Sequence, residues 1–256
     1  MSQKLRHEQI LHILETRGFV TVRYLTEKLQ YSTATVNRDL NTLQNAGLVK
    51  RSYGGVEAAK RSHLPAFLQR QFYMKKEKRC IAEAAAALVK EGETVFLSSG
   101  TTVQHMAPFL LQKKPSRIIT NNMHLAIDLA DAAFEVICLG GRITEKPYVL
   151  GGDITIEQAL HYQPDKMFFS TAAVTNDGLV GGQNVLLRIM MKVSAEVWLL
   201  TDRTKRCDRT ENVLFDFSSL TGVISDYPFS DELKARYESV RFLELDPTTQ
   251  ASPKKQ

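Results

Sequence analysis

Between residues 94 and 224 six short apolar runs recur, at 94–97, 117–119, 135–139, 166–169, 197–201 and 222–224, most of them separated by stretches of helical periodicity. Runs this short, apolar throughout rather than alternating, suit strands buried on both faces of a parallel sheet, whose crossover helices cover each face. The helical stretches at 123–131 and 184–196 supply crossovers, and a helix at 77–90 leads into the first run. The pattern predicts an α/β fold with a mainly parallel sheet, in which ligands lie beyond the carboxyl ends of the strands.

The first third of the chain reads differently. Residues 4–16 carry Ile10, Leu11, Ile13 and Leu14 at helical spacing, and Gly18 follows as a left-handed stop. Thr21 can cap a second helix with Val22, Leu25 and Leu29 on one face. Ser32 then caps a third, in which Val36, Leu40 and Leu43 share a face before Ala46-Gly47 ends it. The opposite face of that helix holds Ala34, Arg38, Asn41 and Asn45, flanked by Thr35 and Asn37, with Asp39 off to the side.

Arg can fork onto guanine and Asn onto adenine, while Thr reaches phosphate or a thymine methyl, so this face suits the major groove. With the following Leu48-Val49-Lys50-Arg51-Ser52-Tyr53-Gly54-Gly55, the pattern is a helix-turn-helix with a β-ribbon wing, on which Lys50 and Arg51 would meet phosphates. The DNA-contacting candidates are Ser32, Thr33, Ala34, Thr35, Asn37, Arg38, Asn41, Lys50, Arg51 and Tyr53. Any one of them alone reads equally well as a solvated surface residue; their joint placement beside a basic wing favours DNA.

Charge follows the same division. Of 33 Lys and Arg and 28 Asp and Glu in the 256 residues, residues 1–79 hold 15 basic and six acidic, a net +9, and the remainder is −4. A basic front joined to a mildly acidic remainder fits an anion-binding module attached to something else, a solvated surface being the plainer reading. A composition 43% hydrophobic and 24% charged excludes disordered, collagen-like and coiled-coil chains. No run approaches the roughly 20 apolar residues that span a bilayer, and the opening residues lack the apolar core of a signal peptide, so a cytoplasmic protein is expected. Cys80, Cys138 and Cys207 are too few and too far apart for a disulfide framework, and His63, His105, His124 and His161 show no ligand spacing. Neither a metal nor a cofactor is expected.

The expected domains are a winged helix-turn-helix at 1–56, a basic linker at 57–76, an α/β domain at 77–245 and a flexible tail at 246–256. Around the linker lie Lys60, Arg61, Pro65, Arg70, Lys75, Lys76, Lys78 and Arg79, a spacer whose charge can add sequence-independent attraction to DNA.

Three loops of the second domain follow predicted strands and can hold an anion. Ser98-Ser99-Gly100-Thr101-Thr102 offers hydroxyls and backbone N–H groups at the start of a helix. Thr120-Asn121-Asn122 does the same after the second strand, and Gly140-Gly141-Arg142 adds a tight turn and a guanidinium. One small polyhydroxy phosphate could engage all three; each alone is equally an ordinary strand-to-helix turn.

The stretch Arg6-His7-Glu8-Gln9-Ile10-Leu11, the segment Tyr31-Ser32-Thr33-Ala34-Thr35-Val36-Asn37-Arg38-Asp39-Leu40 and the wing Tyr53-Gly54-Gly55 resemble the DeoR family of bacterial transcription regulators, and the resemblance runs to about Tyr227. It implies double-stranded operator DNA as partner, a repressor of carbohydrate genes, and a C-terminal domain similar to sugar-phosphate isomerases that binds phosphorylated sugars. By matching position it assigns Gly100, Thr101, Thr102, Thr120, Asn121, Gly140 and Gly141 to the effector site. Asp202 and Lys205 match the family's Asp-x-x-Lys after a strand, with a surface ion pair as the alternative.

This chain departs from the family where Asn37 replaces Arg, Tyr53 replaces His and Ser98 replaces Asp, and at Gln183 and Leu187, near which the family carries Glu and Lys. Losing those ionisable groups removes the base and enediolate partners that sugar-phosphate isomerisation needs, which disfavours the competing reading of an isomerase-like enzyme with a fused DNA-binding domain. Paired half-sites and the family resemblance imply at least a dimer. A third reading is a constitutive DNA-binding protein whose second domain only oligomerises.

Overall fold

The computed structural model describes residues 3–45, 48–52, 55–58, 73–130, 134–145, 149–181, 185–207 and 213–246. Tyr53, the 59–72 stretch with Lys60, Arg61, Pro65 and Arg70, Gln183 and most of the 246–256 tail lie outside them. The chain divides into two compact units, 1–73 and 74–256.

In the first unit α1 (Gln3–Arg17), α2 (Val22–Leu29) and α3 (Thr33–Asn45) precede a ribbon of β1 (Val49–Ser52) and β2 (Gly55–Ala58). The caps act as the sequence predicts. Gly18 takes φ 73° and its N–H returns to Leu14, 2.9 Å away. Thr21 accepts from the Tyr24 N–H at 3.1 Å, and Ser32 from that of Thr35 at 3.2 Å. The buried stripes interlock: Ile10, Leu11 and Leu14 meet Leu25, Val36, Leu40 and Leu43, closed below by Val49 and Val56. Val20 exchanges two backbone hydrogen bonds with Val56, tying the α1–α2 turn to the wing. Only glycine fits at Gly55, where an added Cβ would stand 2.4 Å from the Val20 carbonyl oxygen.

The second unit opens with α4 (Lys75–Ala87) and is built on seven parallel strands: β3 (Thr94–Leu97), β4 (Arg117–Thr120), β5 (Val136–Cys138), β8 (Lys166–Phe169), β11 (Glu196–Thr201), β13 (Gly222–Ser225) and β14 (Arg241–Glu244). Their order is β14-β13-β11-β8-β3-β4-β5. The chain moves outward from β3 through β4 to β5, then returns to β8 on the other side of β3 and continues to the opposite edge. Strand order therefore reverses between β3 and β8, the place where open α/β sheets bind ligands.

Both faces of this sheet are covered. Val95, Leu97, Phe168, Trp198 and Leu200 pack under α4, α5 (Thr101–Gln104), α6 (Ala107–Leu110) and α7 (Met123–Ala130). Phe96, Met167, Phe169 and Leu199 pack under α8 (Asp153–Ala159), α9 (Val185–Val193) and α10 (Asp231–Arg236). Adjacent strand residues thus serve opposite cores, the reason the runs read as continuously apolar.

Some boundaries differ from expectation. The crossover expected over 184–196 ends at Val193, because Glu196 already pairs with Lys166 in the sheet. The leading helix is Lys75–Ala87 rather than 77–90, and the second wing strand reaches Ala58, so both ends of the expected 57–76 linker are regular structure. Strand β14 and two small antiparallel additions are new: β6 (Arg142–Glu145) with β7 (Val149–Gly151), and β9 (Ala173–Thr175) with β10 (Gly178–Val180) and β12 (Val213–Phe215). Among the described residues no helix is long and apolar enough to cross a membrane.

Candidate functional site

The outward face of α3 presents Ser32, Thr33, Ala34, Arg38 and Asn41 to solvent, with Thr35 and Asn37 half-buried. Ser32 and Thr35 are partly committed to the cap, their hydroxyls 2.9 Å apart. The Asn37 amide donates back to the Thr33 carbonyl at 3.0 Å. Asp39 stays off the exposed face. It is 1% exposed, and its carboxylate receives the Arg6 Nε at 2.8 Å and Nη2 at 3.1 Å, with His7 Nε2 at 3.0 Å. Burial alone would push this carboxyl up; the hydrogen bonds from Arg6 and His7 outweigh it and hold it below the usual range. Arg6 also lies over the Tyr31 ring, 5.2 Å from its centroid. The acidic residue beside the recognition face is thus a buried clamp between α1 and α3.

The wing separates Lys50 from Arg51. Alternation turns Lys50 to the exposed side opposite Glu57, while Arg51 opposes Val56. Arg51 donates to side chains of α3 rather than standing free: Nη1 to Asn41 Oδ1 at 2.8 Å and Nη2 to Asn37 Oδ1 at 2.6 Å.

In the second unit the β3–α5 loop sits at the reversal of strand order. The Ser98 N–H donates to the Phe168 carbonyl at 3.0 Å, binding the loop to the end of β8. Gly100 lets the loop approach the end of β8 closely, since a Cβ there would lie 2.7 Å from Ser170 Cβ. Ser98, Thr101 and Thr102 are buried and Ser99 and Gly100 half-buried; the Thr102 hydroxyl is buried without a hydrogen-bond partner. From the helical turn that follows β11, the neighbour of β8, Lys205 Nζ donates to Ser170 Oγ.

Asp202 is 1% exposed, which removes the surface ion pair as a description of the Asp202–Lys205 motif. Its Oδ1 accepts from the Thr204 N–H at 3.0 Å and from that residue's hydroxyl, while Oδ2 is buried without a partner. Arg203 anchors the segment on Asp226: its N–H meets Oδ1 at 2.6 Å and its Nε meets Oδ2 at 2.7 Å. Burial pushes the neighbouring Tyr227 phenol up to about 12, so it stays a neutral hydroxyl.

The β4 loop divides its labour. Asn122 caps α7 through Oδ1, accepting from the N–H groups of His124 at 3.1 Å and Leu125 at 3.3 Å, and the Thr120 hydroxyl accepts from the Asn122 N–H. Asn121 ties β4 to β7 by donating to the Leu150 carbonyl at 2.9 Å, and its Oδ1 is buried without a partner.

The Gly140-Gly141 turn is occupied by protein. The Gly140 N–H donates to Gln158 Oε1 at 2.6 Å, and the Thr155 hydroxyl donates to the Gly140 carbonyl. Gly141 holds φ 133° where a Cβ would meet Thr155 Oγ1 at 2.1 Å. Arg142 is exposed on β6, opposite Gly151. This turn is therefore a structural closure of the β6–β7 ribbon on α8, two strands from the order reversal. The loops ending β3 and β8 meet at the reversal, where Lys205 from the turn after β11 reaches Ser170; the loop ending β4 is tied instead to β7, and the loop ending β5 to α8.

Sequence reasoning missed Ser170, which joins Gly100 to Lys205, and its only sequence signal is a position directly after an apolar run. Leu187 lies in the core under the sheet. Among the described residues no group of three or more His, Cys, Asp or Glu side chains is placed to hold a metal ion.

Comparison with known proteins divides the chain in the same way. The family described as the DeoR-like helix-turn-helix domain matches residues 6–62, and the DeoR C terminal sensor domain matches 74–227. The chain is 31% identical to the HTH-type transcriptional repressor CsqR of Escherichia coli K12, covering 91% of both. It is 29% identical to the lactose phosphotransferase system repressor of Lactococcus lactis, covering 80% of this chain and 84% of that one. The glycerol-3-phosphate regulon repressor of Haemophilus influenzae is 27% identical, over 80% of this chain and 82% of it. Among solved structures, ribose 5-phosphate isomerase A from Neisseria gonorrhoeae aligns over 52% of this chain and 54% of its own, with 17% identity and a TM-score of 0.40.

Proposed function

We infer what this chain does from the premise that it belongs to the DeoR family of transcription regulators: it is a DNA-binding repressor of carbohydrate-metabolism genes, released or engaged by a phosphorylated sugar or related metabolite. Names of its relatives point the same way, one being a repressor of a lactose system and another of a glycerol-3-phosphate regulon. The observation that carries the effector half is the gathering of Lys205, Ser170 and the Ser98–Thr102 loop at the order reversal, with Thr102 Oγ1, Asn121 Oδ1 and Asp202 Oδ2 each buried without a partner in the segments after β3, β4 and β11. An ammonium and hydroxyls suit a phosphate, and a carboxylate and an amide oxygen suit sugar hydroxyls.

The family consists of regulators rather than enzymes, and we read this chain as binding its effector without turnover. We place the protein in the cytoplasm, where DNA and phosphorylated metabolites meet. The protein acts as at least a dimer, because two half-sites about one helical turn apart need paired recognition helices. A monomer on DNA in light scattering contradicts this.

The metabolite controls DNA binding only if it binds one arrangement of the winged helices more tightly than another, so ligand must change DNA affinity. Two substitutions test the DNA half. Arg38→Ala is expected to cost about tenfold in affinity for the preferred sequence and little on unrelated DNA, as loss of a base contact does. Lys50→Ala weakens all sequences alike and flattens the salt dependence by about one unit. Titrations of specific and unrelated duplexes across a salt series check both; a uniform loss for Arg38→Ala removes it from base reading, and an unchanged slope removes Lys50 from the phosphates.

A further inference from the structure

The wing arginine is held in a way that makes it part of base reading. A guanidinium has only donors, so the atoms facing it on Asn37 and Asn41 must be the amide oxygens; Arg51 fixes which way both amides point. Asn37 and Asn41 are four residues apart on α3, on one face, and the planar fork of Arg51 spans them with one Nη on each. The Asn37 Nδ2 gives one of its two hydrogens to the Thr33 carbonyl of its own helix, whereas Asn41 stands on the exposed face of α3, so Asn41 Nδ2 is the amide donor better placed for a base edge.

We propose that Arg51 is a positioning residue for specificity: by orienting the amides of Asn37 and Asn41 it makes the wing and the recognition helix one reading surface, on which Asn41 selects a base-edge acceptor such as N7 of a purine. This rests on the DNA-binding reading above. Without the fork, the Asn41 amide can turn over and present its oxygen, an acceptor, to the same position. Discrimination at that base pair then falls, whereas the count of neutralised phosphates does not change. A phosphate-contacting Arg51 has the opposite signature, a uniform loss with a flatter salt slope. Lysine separates the two, because it keeps the charge but cannot bridge both oxygens.

The test uses the full-length protein and a duplex enriched from a random-sequence pool, with its single-base-pair variants and an unrelated duplex as competitors. Arg51→Lys and Arg51→Ala are each expected to lower the preference at one base pair by about tenfold with the salt slope unchanged. Asn41→Ala removes the same preference, and combining it with Arg51→Ala adds no further loss, because both act on one contact. Specificity retained in Arg51→Lys, a salt slope flattened by about one in Arg51→Ala, or additive losses in the double variant overturns the inference while leaving DNA binding intact. A pool that enriches no sequence overturns the DNA reading and this inference with it.

Discussion

Replacing Asp39 with alanine is expected to destabilise the N-terminal unit by roughly 3 kcal/mol, toward the low end for breaking a buried ion pair because Arg6 keeps some exposure. The change leaves Arg6 and His7 without the carboxylate that joins α1 to α3. The effect should stay local. Trp198, the only tryptophan, lies in the core of the second unit, so its fluorescence reports that unit while hydrogen exchange in α1–α3 reports the first. The expected result is faster exchange in α1–α3, an unchanged tryptophan transition, and weaker DNA binding in proportion to the unfolded fraction. Unchanged protection in α1–α3 shows that the clamp contributes nothing.

The same carboxylate gives a pH dependence of known sign. Its folded pKa lies below the unfolded value, so its contribution is present above about pH 4 and is lost as pH falls through the folded value. Asp39→Asn, which cannot ionise, should lack this acid-side loss. A variant that loses protection in α1–α3 with the same acid profile as the parent assigns the loss to another group.

Lys205→Ala is expected to weaken binding of the phosphorylated effector by about 100-fold, the scale of a charge-assisted contact in a partly enclosed site. DNA affinity without effector should be unchanged, since Lys205 belongs to the second unit. The outcome is a repressor whose DNA affinity no longer responds to the effector. Calorimetry with the phosphorylated and unphosphorylated forms of one sugar checks the role: the variant should lose most of the preference for the phosphorylated form. Equal losses on both forms place Lys205 at the sugar rather than the phosphate, and no loss removes it from the site.

The readable parts of this fold were those with repeated local signals. Val36, Leu40 and Leu43 mark a helix face by spacing alone, and Thr21 and Ser32 mark the starts of α2 and α3. The six apolar runs are legible because both faces of each strand are buried. Strand β14 was hidden by its edge position: Phe242 and Leu243 are only half-buried between the exposed Arg241 and Glu244. The ribbons β6–β7 and β9–β10–β12 are too short to show a period.

The site was less legible, because partners distant in sequence decide what each group is free to do. Asp39 reads as a surface charge until Arg6, 33 residues earlier, is seen beside it. The Gly140 N–H looks available for an anion until Gln158 takes it. Lys50 and Arg51 look equivalent until the register of the wing turns them to opposite faces.

The most direct test of an effector-controlled repressor is a mobility shift of the full-length protein on an enriched duplex, repeated with a panel of phosphorylated sugars and their unphosphorylated forms. The account predicts a sequence-specific complex whose affinity one phosphorylated compound changes at least tenfold while its unphosphorylated form does not. A specific complex indifferent to every compound, none of which binds the protein in calorimetry, contradicts it and leaves a constitutive DNA-binding protein.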